Sequence, residues 1–328
     1  LYVSGTTKTL RDNFDWFADF VLEYSPDVRN VLDIACNDGT QLNSFKERGI
    51  ETFGVDPAVN LYKTSSKHHE VVCNYFNEHS FDKEFDTIVA QNVFAHNLDA
   101  KKFLDNCEKM MHDDSYLFIQ TSQAEMILNN QFDTIYHEHI SFFNIKSFNK
   151  LTKRTGLNLV DVIKTPIHGI SYLFILSKKQ VRNNRIKNLI DLEESEGLYS
   201  KETYKTYKKN VTDVVKGFKL NIKAFREGGY KIVGYGAAAK GMTFLNFAGV
   251  KLDYIIDDNP MKQNLYTPGT NIEIKDSEFI KTYKEDDKIL FVPLAWNFYQ
   301  EIKENILSVR DNKNDRFLKY FPSIKTEE

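Results

Sequence analysis

The chain has 328 residues, of which 41% are hydrophobic and 13% aromatic, with a formal net charge of −3. That length is about twice a usual domain and predicts two compact units. No apolar run approaches the ~20 residues of a membrane span, and the near-neutral balance leaves no basic footprint for nucleic acid, so neither partner is expected.

In chain order, Leu10, Phe14, Phe17 and Val21 recur at helical spacing and predict an amphipathic helix. Asn30 to Ile34 reads as a strand that runs into the small, polar turn Ala35-Cys36-Asn37-Asp38-Gly39, followed by a helix through Leu42 and Phe45. A second strand, Glu51 to Val55, stops at Asp56-Pro57. Apolar runs at Asp86–Ala90 and Tyr116–Gln120 continue the βαβα rhythm of a parallel doubly wound sheet. Leu157–Ile163 and Tyr172–Ser177 lack a long helix between them and are expected to extend that sheet in antiparallel fashion.

From Glu202 to Glu227 one apolar stripe, including Tyr204, Val211, Val215, Phe218 and Ile222, predicts a long connecting helix. A second βα rhythm follows, with strands at Tyr230–Gly234, Leu252–Asp257 and Lys288–Val292. The fold class is therefore α/β, two Rossmann-like domains in tandem, with expected spans 1–180, 181–228 for the helical connector, and 229–328. Clusters such as Asn312-Lys313-Asn314 read as solvated surface.

Cys36, Cys73 and Cys107 offer neither a CxxC metal pair nor an even disulfide framework, so a reducing cytoplasm is the expected compartment. No export signal is read, and Leu1 in place of methionine leaves room for additional domains or chains upstream.

A strand, a glycine-bearing turn and a helix make a nucleotide-cofactor cradle, because small residues let backbone N–H groups approach a ligand. Asp33, Ala35, Asn37 and Gly39 mark that turn, and Asp56 at the end of the next strand is placed for a ribose diol. The full GxGxxG is absent, which disfavours a dinucleotide and favours S-adenosylmethionine. Farther on, Tyr136-His137-Glu138-His139 crowds titratable groups into four positions. Metal binding, acid–base catalysis and a satisfied polar turn are the open readings, with acid–base work by His139 preferred because imidazole titrates near neutrality.

The strings VLDIACNDGT, GVDPA, QNVFAH, FDTIYHEHISFF, GYGAAAKG, DDNPMKQNLYTPGT and LAWNF, in that order, closely resemble the C-methyltransferases that act on nucleotide-linked keto-deoxysugars. The resemblance implies a first domain that binds S-adenosylmethionine, with Asn92 of QNVFAH among its cofactor residues. It implies proton abstraction beside a ketone by Tyr136 and His139, with Glu138 in support. The physical logic agrees: a sugar carbon becomes a nucleophile only after that proton leaves, whereas a hydroxyl needs no such cluster. His168 is the expected holder of the enolate oxygen. Gly236, Lys240, Asn259, Lys262, Tyr266 and Asn297 are expected to meet the substrate.

Three departures from the family pattern stand out. The sequence begins downstream of the zinc module usual in relatives, so no metal is expected in it. Ala35 and Cys36 stand where glycine and serine are usual, and Ile170-Ser171-Tyr172-Leu173 lacks an expected arginine. Rival readings remain at this level. Gly234-Tyr235-Gly236-Ala237-Ala238-Ala239 fits G-x-G-x-x-A with Asp257 and Asp258 beyond it, which suits an NAD-dependent nucleotide-sugar oxidoreductase or epimerase. A sugar O-methyltransferase and a binding protein that has lost turnover are the others.

Overall fold

The computed structural model describes residues 3–76, 81–121, 125–167, 169–180, 184–321 and 323–327. Tyr2–Ala124 with Glu138–Gly197 forms one compact unit, and Glu125–His137 with Leu198–Glu328 forms the other. The stretch 181–228 is shared between them: Arg185–Ser195 belongs to the first unit and Lys201–Glu227 to the second.

The first unit contains, in order, α1 (Lys8–Tyr24), β1 (Asn30–Ile34), α2 (Thr40–Glu47), β2 (Glu51–Val55), α3 (Val59–Ser65), β3 (Glu70–Val72), β4 (Phe85–Gln91), α4 (Ala100–Lys109), β5 (Met111–Thr121), α5 (Ile145–Thr152), β6 (Asn158–Thr165), β7 (Ser171–Ser177) and α6 (Arg185–Ser195). The sheet order is β3-β2-β1-β4-β5-β7-β6, and β7 runs antiparallel to both its neighbours. Four of the five residues of β1 and of β2 are buried, as in strands covered on both faces. The stripe on α1 buries Leu10, Phe14, Phe17 and Val21, and Thr7 caps the helix by accepting from the Leu10 N–H. A fully buried side chain such as Phe17 contributes about 1.5–3 kcal/mol.

The second unit contains α7 (Lys201–Glu227), β8 (Lys231–Tyr235), α8 (Ala239–Ala248), β9 (Tyr254–Ile256), β10 (Ile274–Lys275), β11 (Ile289–Pro293), α9 (Tyr299–Val309), β12 (Arg316–Lys319) and β13 (Lys325–Glu327). Its sheet order is β10-β9-β8-β11-β12-β13, parallel except for β13. On α7, Val211, Val215, Phe218 and Ile222 are buried, while Tyr204 of the expected stripe is exposed. Phe132, from the segment between β5 and α5, stacks on Phe244 with ring centroids 5.5 Å apart and completes this core.

Each sheet reverses its winding beside its first strand, at β1 between β2 and β4 and at β8 between β9 and β11. Ligands of doubly wound sheets bind outside the carboxyl ends of the strands at such switch points. Among the described residues, no helix is long and apolar enough to cross a membrane.

Candidate active site

Beyond β1 the backbone becomes left-handed, with φ of +64° at Ala35, +52° at Asn37 and +83° at Gly39. The Ala35 and Cys36 N–H groups both donate to the Val55 carbonyl, at 2.8 and 3.3 Å, and so curl the turn over the sheet edge. A Cβ at Gly39 would lie 3.2 Å from both Ser65 Cα and His69 Cδ2, so only glycine fits the turn. Asp56 closes it from β2: Oδ2 accepts the Asn37 N–H at 3.0 Å and Oδ1 accepts the Ala58 N–H at 2.7 Å. The side chains of Asn37 and Asp38 fasten the N-terminal segment to the turn, accepting from the Ser4 and Gly5 N–H groups at 3.0 and 2.8 Å.

Asp33 is buried behind this turn. Burial first, then the charges of Asp56 and Asp38, push its carboxyl well above the usual carboxylate range, and no cation among the described residues offsets them. Just past β4, Asn92 takes φ +56° and carries a buried Oδ1 without a hydrogen-bond partner. The cradle therefore calls for a ligand with positive charge and with hydroxyl or N–H donors. A sulfonium joined to an adenosine meets both demands, so the residues present fit S-adenosylmethionine.

The Tyr136–His139 stretch forms neither helix nor strand. The chain passes between units here: Tyr136 and His137 belong to the second, Glu138 and His139 to the first. His139 is buried, with its ring 5.0 Å from that of His96 at an interplanar angle of 81°. The Ile140 and Ser141 N–H groups donate to the Ala95 carbonyl at 2.8 and 3.3 Å, which stitches the loop to the short 3-10 turn Phe94–His96. His96 keeps an exposed edge, yet desolvation among its neighbours lowers its pKa, opposed by the charge of Glu138 and by a hydrogen bond to the Asn92 carbonyl. That bond ties the histidine pair to the cradle residue Asn92.

In the second unit the turn after β8 repeats the device. Gly236 has φ +91°, and Asp257 at the end of β9 accepts the Ala237 N–H at 2.8 Å on Oδ2 and the Asn259 N–H at 2.9 Å on Oδ1. Here a lysine intervenes: Lys262 Nζ lies 3.0 Å from Asp257 Oδ2 and 3.1 Å from the Ala237 carbonyl. Lys240 faces another carboxylate, the fully buried Asp133, whose Oδ2 accepts from Trp296 Nε1 at 2.6 Å. Burial lowers the Lys240 pKa and raises that of Asp133, and each charge partly restores the other. Tyr266 is 60% exposed, and Asn297 sits in the short 3-10 turn Trp296–Phe298. His168 lies outside the described residues. Among the described residues, no group of three or more His, Cys, Asp or Glu side chains is placed to hold a metal ion.

Two family models tile the chain: a methyltransferase domain over residues 8–162 and a C-methyltransferase C-terminal domain over residues 166–322. The chain belongs to the S-adenosylmethionine-dependent C-methyltransferases. It is 26% identical over 309 residues to the C-methyltransferase NovU of Streptomyces niveus, covering 89% of this chain and 72% of NovU. Similar solved structures include the plantazolicin methyltransferase BpumL bound to SAH, at 14% identity and a TM-score of 0.44, covering 53% of this chain and 87% of that one. The magnesium protoporphyrin IX methyltransferase ChlM of Synechocystis PCC 6803 with bound SAH matches at 11% identity and a TM-score of 0.42, covering 52% and 83%.

The two similar turns of this C-methyltransferase differ in charge. The turn after β1 gathers three carboxylates, whereas Lys262 pairs with the acid of the turn after β8. Asp33, Ala35, Asn37, Gly39, Asp56 and Asn92 gather at one edge of the first sheet, and Glu138 and His139 lie in the same unit. Tyr136, Gly236, Lys240, Asn259, Lys262, Tyr266 and Asn297 belong to the other. His96 was not singled out from the sequence, although it ends the QNVFAH string; only the folded loop sets its ring against His139.

Proposed function

We propose that this C-methyltransferase methylates the carbon beside the ketone of a nucleotide-linked keto-deoxysugar, through base-catalysed enolate formation. The observation that carries the proposal is the buried His139 packed against His96, with Glu138 acting on His96 and Asn92 linking the pair to the cradle. The cofactor supplies an electrophilic methyl group. His139, with Tyr136 as its partner, takes the proton from the carbon beside the ketone, and the electron pair of that C–H bond moves into the enolate. His96, held to the Asn92 carbonyl, fixes the neighbouring ring, and Glu138 balances the positive charge that builds on the imidazoles. His168 is assigned to the enolate oxygen.

The nucleotide and sugar are assigned to the second unit, around Gly236, Lys240, Asn259, Lys262, Tyr266 and Asn297. This assignment rests on the resemblance of its motifs. The reaction is placed in the cytoplasm, where the thiols of Cys36, Cys73 and Cys107 stay reduced.

The test is incubation with S-adenosylmethionine and nucleotide-linked 4-keto-6-deoxysugars in deuterated water, followed by product mass. The expected product gains a methyl group, and recovered substrate exchanges its acidic hydrogen. A methylated hydroxyl without exchange supports O-methylation instead. His139→Ala should lose methyl transfer and keep SAH affinity, and unchanged turnover defeats the assigned base.

A further inference from the structure

Beside the cradle, the same sheet edge carries buried polar atoms that have no hydrogen-bond partner among the described residues. Gln120, near the end of β5, is 1% exposed, and neither its Oε1 nor its Nε2 has a hydrogen-bond partner. Gln91 Oε1 and Asn13 Nδ2 are likewise buried and unpartnered.

These groups share one face. Gln91 and Gln120 are register partners on adjacent strands, and Gln120 lies on the same side of β5 as Phe118. On that side Tyr24 meets Tyr116 with ring centroids 5.2 Å apart, and Phe17 meets Phe118 at 6.1 Å. Helix α1 therefore runs opposite to β5, and Asn13, one turn before Phe17, comes over Gln120. Gln41, in the first turn of α2, bounds the seat: it accepts from Gln91 Nε2 and donates to the Phe14 carbonyl at 3.2 Å.

A buried polar atom without a partner costs about 1–3 kcal/mol, and folded proteins carry few of them. Their concentration here points to an occupant. The seat offers donors from Asn13 and Gln120 and acceptors from Gln91 and Gln120, with no formal charge among them. A zwitterion, which brings both donors and acceptors at no net charge, matches that set.

Position agrees with chemistry. In the order β2-β1-β4-β5 with spacing of about 4.8 Å, the end of β4 lies roughly 10 Å from Asp56. A nucleoside whose ribose sits at Asp56, with its chain crossing the end of β1 past Asp33, brings its far end to Gln91 and Gln120.

We propose that Asn13, Gln91 and Gln120 form the seat for the amino-acid end of S-adenosylmethionine. The amide oxygens of Gln91 and Gln120 receive its ammonium group, and the amide nitrogens of Asn13 and Gln120 donate to its carboxylate. The inference rests on the cofactor occupying the Asp56 cradle.

Calorimetric titration with two ligands tests it: SAH, and 5′-methylthioadenosine, which keeps the adenosine and thioether but lacks the amino-acid end. Gln120→Met and Asn13→Leu should each weaken SAH at least tenfold and leave 5′-methylthioadenosine within twofold, so the second ligand also reports an intact cradle. Unchanged SAH affinity in both variants identifies the seat as a water pocket and overturns the proposal, as does equal weakening of both ligands. If the unaltered protein binds neither ligand, the cofactor placement itself falls, and the seat with it.

Discussion

Replacing Ala35 by glycine should stabilise the first unit, although it removes a methyl group from the cofactor turn. Ala35 is held at φ +64° because its N–H must reach the Val55 carbonyl at 2.8 Å while the chain doubles back toward Gly39. For an L-residue that conformation costs about 1–2 kcal/mol. Glycine adopts it freely but gives back about 0.4–1 kcal/mol through the greater entropy of the unfolded chain. The difference leaves a net gain of about 1 kcal/mol, equivalent to about 2–4 °C in Tm for a unit of this size. The assay is thermal and urea unfolding of the full chain, with the transition of the first unit identified by its displacement on adding SAH. Gly39→Ala is the opposing control: it imposes strain at φ +83° and presses a methyl group to 3.2 Å from the Ser65 Cα, so it should lower the same transition by more than Ala35→Gly raises it. A lower midpoint for Ala35→Gly would refute the account of strain in the turn.

Two further outcomes concern stability away from the cofactor. Trp296→Phe removes the N–H that Asp133 Oδ2 accepts at 2.6 Å, while Oδ1 is already unpartnered. Urea unfolding of the second unit should show a loss of about 2–3 kcal/mol, recovered in part by adding Asp133→Asn; a loss near zero would mean that the carboxylate is satisfied elsewhere. His69 is buried between Thr52 Oγ1 at 2.7 Å and Asn43 Oδ1 at 2.9 Å, and burial, then the charges of Lys46 and His68, lower its pKa to about 4. Its neutral ring contributes stability that is fully present above the unfolded pKa of about 6.5 and is lost as pH falls through about 4. The contribution is on the order of 2 kcal/mol. His69→Gln should flatten the pH dependence of unfolding in that window, and an unchanged slope counts against the assignment.

The strands β1 and β2 and the helix α7 were legible from the sequence to within a residue or so, because each carries its own signal: apolar runs of strand length, and an apolar stripe over twenty-seven residues. The cradle was legible for the same reason, since a strand, a turn of small residues and an acid at the next strand end are local patterns. The antiparallel strands after α5 were visible as strands. That β7 lies between β5 and β6 was not, because strand order depends on pairing between segments distant along the chain.

The chemistry of single side chains divides along the same line. Sequence alone marked Lys240 and Lys262 as ligand contacts, and only the fold set them against Asp133 and Asp257. It marked His139 but not His96, and passed over Gln120 entirely, since a glutamine ending an apolar strand carries no signal until α1 closes over it. Residue type and spacing decide which conformation a short segment prefers, because those preferences act within a turn or a pleat. Whether a polar atom is satisfied, paired or left waiting for a ligand depends on what other parts of the chain place around it, and that was settled only when the sheet and its covering helices packed together.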